Sequence, residues 1–169
     1  MSIFGTVIIV LGFIALYYVT SLQPQFHIQH LHIRENFSSS SNPNTSIVMD
    51  LKFKKPIGIR FDDLKITLYY AYNQSFSVIG YCIVPGFKQA YKITAHREAV
   101  VEAHGTAWQD ALRRISQGST VGLRAELITG YRGAGDSSMC ISCTTVMAGA
   151  AELRLDSSGE VSRKPIRFR

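Results

Sequence analysis

Residues 3–22, IFGTVIIVLGFIALYYVTSL, contain no Asp, Glu, Lys or Arg. A chain carrying such a run must either bury it on every side or give it to lipid. A helix of about 20 residues rises about 30 Å, the thickness of a bilayer's hydrocarbon core. A cleaved signal peptide would want a basic start, which is missing apart from the terminal amine, and a small-residue cleavage site, to which Val19 and Ser21 are a fair match only. A helix in a water-soluble core would show a polar face, and this one is apolar all round. Tyr17 and Tyr18 suit the headgroup boundary, and Pro24 cannot continue a helix. The run predicts a single transmembrane anchor over residues 1–23, with one tethered domain over residues 24–169.

Residues 1–33 carry no charged side chain other than histidine, so the net charge of +6 belongs to the segment from Arg34 onward. That segment is long enough for one hydrophobic core without metals or a dense disulfide frame. A positive domain beside a membrane suggests anionic lipid or acidic polymer as a neighbour. The charges nevertheless fall singly along the chain, apart from Arg163, Lys164, Arg167 and Arg169, which read as a solvated tail. Cys82, Cys140 and Cys143 are too few for a disulfide scaffold. Cys140 and Cys143 form a lone C-x-x-C in a run that reads as a strand, where residues three apart face opposite ways, so buried small residues are expected rather than zinc. An extracellular domain would allow one disulfide involving Cys82.

Alternation of apolar and polar residues dominates the remainder. PQFHIQHLHI reads as a first strand; Ile47, Met49, Leu51 and Phe53 alternate with Val48, Asp50, Lys52 and Lys54; Leu64, Ile66, Leu68 and Tyr70 repeat the pattern. Tyr72-Asn73-Gln74-Ser75 turns the chain back into FSVIGYCIV, a hairpin. Further strands are expected at residues 90–95, 120–131, 138–147 and 152–155, with a last edge strand after Ser157-Ser158-Gly159. One helix is predicted over residues 107–117: Thr106 and Gln109 form a capping-box pattern, Trp108, Ala111, Leu112 and Ile115 share a face, and Gly118 suits a left-handed terminus. The predicted class is mainly β, an antiparallel sandwich with one short helix.

A search for chemistry finds little. His30 and His32 would share a strand face with His27 pointing away, so membrane-proximal polar residues are expected rather than metal ligands. Asp62 and Asp63 are adjacent, diverge, and fit a turn. GYRGAGD, residues 130–136, lacks the Lys-Ser/Thr of a phosphate loop and is not followed by a helical pattern, so it reads as a hairpin loop. No catalytic, cofactor-binding or metal residue is predicted. Asn36, Asn44 and Asn73 each begin an N-x-S/T sequon at an expected loop or turn, which favours a lumenal or extracellular domain. The positive-inside rule points the other way, although Arg34 alone carries it.

KKPIGIRFDDLKITLYY, residues 54–70, followed after a hairpin by IVPGFKQ and YKIT, resembles the late embryogenesis abundant type 2 family. In plants that family includes the harpin-induced and disease-resistance-like hydroxyproline-rich glycoproteins. The resemblance rests on Pro56, Ile57, Gly58, Ile59, Phe61, Asp62, Pro85, Phe87 and Gln89, with Pro24 to Phe26 similar to the family's first strand. Lys54 and Lys55 depart from the family's Asn, and its tail before the anchor is missing here. The resemblance implies an immunoglobulin- or fibronectin-III-like sandwich at the plasma membrane and a non-enzymatic role in defence or abiotic stress. The partners it implies are the membrane itself and other membrane proteins, cell wall or lipid, and not nucleic acid. The endoplasmic reticulum membrane is the alternative location. The alternative function is a tethered lipid-binding or lipid-transfer module, its acyl chain held between the sandwich and a loosely attached helix.

Overall fold

The alternation at residues 47–53 predicts a strand wet on one face. In a computed structural model of the chain, which describes residues 8–13, 24–35, 45–54, 58–90, 93–133, 145–156 and 166–168, Ile47, Met49, Leu51 and Phe53 are buried in one strand. That strand, β2 (Thr45–Lys54), lies between β1 (Gln25–Glu35) and β7 (Thr94–Ala103), with β10 (Ile166–Arg167) beyond β1. These four form the first sheet, antiparallel at every pairing.

The second sheet is built on β8 (Val121–Gly133). One edge of β8 takes β4 (Leu64–Tyr72) and, further along, β3 (Ile59–Phe61), while its other edge takes β9 (Thr145–Leu155). β5 (Ser75–Val84) pairs β4, and β6 (Lys88–Gln89) pairs β3. The inner faces meet in one core that includes Phe26, Met49, Leu68, Leu123 and Leu153. The protein is thus mainly β, two antiparallel sheets face to face.

Among the described residues no helix is long and apolar enough to cross a membrane. Residues 8–13 form α1, and the rest of the expected anchor lies outside the described residues. In α1, Ile8, Ile9, Val10, Leu11 and Phe13 are all exposed, so this apolar helix is not packed into the sandwich core.

The second helix, α2 (Thr106–Ser116), crosses from β7 to β8 and closes one end of the sandwich. Its buried side chains are Trp108, Ala111 and Ile115, the expected stripe. The expected capping box is absent: Gly105, at φ 90°, is the N-cap, no side chain caps the helix, and Thr106 belongs to the first turn. Its C-terminus follows expectation. Gly118 is left-handed at φ 80°, with its N–H on the Ile115 carbonyl and that of Ser119 on Arg114, a Schellman closure.

Two strand boundaries also differ. Of the strand expected at residues 90–95, the described Ala90 and Ile93 lie outside any strand; β6 ends at Gln89, and β7 begins at Thr94 and runs on to Ala103. Ala99, Val101 and Ala103 face inward there, but the alanines and the intervening Glu98 and Glu102 weaken the β signal. The strands expected at 138–147 and 152–155 are joined, within the described residues, as continuous β9. The small residues of MAGAAE hide its period from a hydropathy reading, and β8 also runs on through Gly133, into the expected loop.

A candidate membrane-facing end

The chain enters the sandwich through Pro24 and Phe26, both buried. Gln25 pairs with Lys54, and Lys54 with Thr94, so one end of the first sheet is defined by the start of β1. The second sheet meets it there in a ring cluster. Phe26 contacts Phe53 at 5.0 Å between centroids, Phe61 lies 5.6 Å from Phe26, and Phe87 lies 5.0 Å from Phe53 and 4.9 Å from Phe61.

The residues behind the family resemblance build this end. Gln89 is buried and its Nε2 donates to the carbonyls of Phe53 and Ile93, tying the second sheet's outermost strand to the first sheet. The Phe61 N–H donates to Phe87 O at 2.8 Å, and the Gly86 N–H donates to Asp63 Oδ1 at 2.9 Å. A Cβ on Gly86 would stand 2.7 Å from the Phe61 carbonyl oxygen, so only glycine fits. Asp62 accepts from Arg132 at 3.0 Å, while its backbone carbonyl accepts from Thr129 Oγ1. The two aspartates therefore serve the fold, diverging as expected. Pro56 and Ile57 lie outside the described residues.

Charges dispersed in sequence converge around this aromatic floor. The first sheet contributes Lys52, Lys54 and Arg167, with Arg97 placed over the Phe87 ring at 4.4 Å. The second contributes Arg60, Lys65, Lys88 and Arg132. Arg60 sits directly opposite Arg132, a like-charge juxtaposition that weakens a sheet. Ile83, Ile93 and Val146 are exposed at the same end.

The opposite end is different in kind. Three of its arginines are paired locally, since Asp110 accepts from Arg113 and Arg114, Arg124 pairs with Glu126 at 3.0 Å, and Arg114 also stacks on Tyr72 at 4.2 Å, while Arg34 and Arg154 are exposed. Every described lysine lies at the Gln25 end.

The histidines are not arranged as the alternation alone predicts. A β-bulge between Ile28 and His30 inserts Gln29, which brings His27 onto the same outer face as His30 and His32, opposite Lys52, Asp50 and Val48 respectively. Among the described residues no three His, Cys, Asp or Glu stand close enough to hold a metal ion. His27 instead lies in the basic row; burial first, and then Arg167, Lys52 and Lys54, hold its pKa below the ordinary histidine value. Cys82 is a free thiol that burial pushes up to about 11, while Cys140 and Cys143 lie outside the described residues.

Asn73 is exposed at the far end, in a two-residue turn where it and Gln74 have φ 46° and 65°. Ser75 Oγ donates to the Tyr72 carbonyl, closing that turn. Asn36 and Asn44 lie outside the described residues; their described neighbours Glu35 and Thr45 pair with each other at the far end. The face beneath α2, expected to be loosely covered, is filled by Trp108, Ala111 and Ile115. A groove of about 450 Å³ lies elsewhere, over Ala71 and Gly122 of the second sheet, among Phe76, Arg124, Glu152 and Arg154, with Ile166 of the first sheet at its border.

No protein-family model matches this chain, and no curated protein matches it. Among solved structures, a crystal structure of a protein from Archaeoglobus fulgidus is similar, with a TM-score of 0.45 and 11% identity over 75% of this chain and 96% of that one.

Proposed function

We propose that the chain is a non-enzymatic, single-pass membrane protein of the late embryogenesis abundant type 2 kind, whose immunoglobulin-like sandwich stands outside the cell and acts in plant defence or stress responses through its membrane-distal end. The observation that carries this reading is the lack of slack between the apolar run and the core. The run ends at Leu22, and Pro24 is already buried. The two peptide steps between them reach at most about 7 Å. The sandwich is then held with its Gln25 end toward lipid and its Asn73 hairpin away from it. The exposed apolar side chains of α1 support the anchor, and the three sequons support the outside placement.

Expression of the full chain in a eukaryotic host tests both parts. The protein should stay with membranes through alkaline carbonate washing and should lose mass on glycosidase treatment. Release by carbonate would overturn the anchor, and an unchanged mass would overturn the outside placement.

A further inference from the structure

We propose that the Gln25 end of the sandwich is itself a lipid-docking surface, one that lies on anionic headgroups of whichever leaflet the anchor exits into. This rests on the tethered reading above, since the anchor is what brings that end to the bilayer. A reach of about 7 Å between the end of the apolar run and Pro24 makes this end the part of the sandwich nearest the headgroups, a separation comparable to the Debye length of about 8 Å at physiological salt. A positive surface at that separation is attracted to acidic lipid and screened by salt.

Three further features of this end fit a headgroup layer. Its lysines and Arg60 form no ion pair among the described residues: of the aspartates nearby, Asp62 accepts from Arg132, Asp63 accepts the Gly86 N–H, and Asp50 lies 3.8 Å from His96. Its Lys54, Lys65 and Lys88 are exposed, as is Arg60, whose neighbour across the strand pair is another arginine. Interspersed among them, Ile83, Ile93 and Val146 are exposed apolar side chains on otherwise wet positions, a mixture of cation and hydrophobe suited to the boundary between headgroups and acyl chains. At the far end the charges are of both signs, with Arg113, Arg114 and Arg124 paired to carboxylates, so the attraction has one direction.

The test uses the full chain inserted into nanodiscs of phosphatidylcholine alone or of phosphatidylcholine with phosphatidylserine. Acetylation rates at Lys54, Lys65 and Lys88, and phenylglyoxal modification of Arg60 with exposed Arg154 at the far end as reference, are read by mass spectrometry. The expected result is severalfold protection of the four Gln25-end residues in the anionic discs, removed by high salt, with Arg154 unchanged. The double variant Lys54→Glu, Lys88→Glu, altered at exposed positions, should abolish the protection of Lys65 and Arg60. Equal reactivity in the two kinds of disc, with the chain demonstrably inserted, overturns the docking surface and leaves the tether standing. A chain that never enters the discs overturns the tether, and the docking surface with it.

Discussion

Gln89 shows how much a single buried polar side chain can hold. Its amide joins the last strand of one sheet to the carbonyls of Phe53 and Ile93, so Gln89→Leu leaves the buried Phe53 carbonyl short of a donor. A loss of about 1–3 kcal/mol is expected in urea denaturation. Gly86→Ala should cost about as much for a different reason, since its methyl group meets the Phe61 carbonyl and the backbone of Asp62, neither of which can give way as a side chain could. At His27 the effect depends on pH. The folded state holds its pKa below the ordinary value, so protonation favours the unfolded chain and stability falls as pH drops through about 6.5. His27→Gln should therefore lose less Tm than the parent between about pH 7.5 and about pH 5.5; parallel curves would show that neither burial nor the basic row acts on it. Cys82 should resist a neutral-pH alkylating reagent in the folded protein and react after denaturation, because its thiol stays protonated until about pH 11.

At the scale of elements, α2 is held by its stripe and its terminus. Trp108 is 2% exposed, and Trp108→Ala should cost about 3–5 kcal/mol by opening a cavity at the end of the sandwich. Gly118→Ala has space around it but retains the positive φ, so about 1–2 kcal/mol is expected from backbone strain alone. Comparing the two by chemical denaturation separates packing from conformation in the same helix. The helix stripe was legible because Trp108, Ala111 and Ile115 recur at helical spacing. Its N-terminus was not, because Thr106 fits a cap by type, whereas the positive φ of Gly105 lets the chain turn one residue earlier. β7 and β9 were blurred for a shared reason: alanine and glycine in a strand fit against a close-packed opposite sheet without supplying the hydrophobic contrast that marks the period.

For the whole molecule the consequential feature is polarity from end to end. Antiparallel strands bring Lys52, Lys65, Lys88 and Arg167, which stand on four different strands, to one end. The aromatic cluster packs the two sheets together beneath them, and Asp62 and Asp63 are engaged in building that end. The far end keeps the exposed Asn73 hairpin and an internally balanced set of charges.

By itself the sequence determined the elements whose signal is local: the apolar run, the core-facing alternation of β2 and β4, the Asn73 hairpin and the buried stripe of α2. The resemblance-bearing residues from Ile59 to Gln89 were visible as a pattern, but their work as a joint between two sheets appears only when Phe61, Phe87 and Phe53 meet. Tertiary structure alone decided which side His27 takes, because one inserted residue reverses the parity of everything before it. It alone decided where the charge collects, because electrostatic fields add through space and the order of residues along the chain does not enter them.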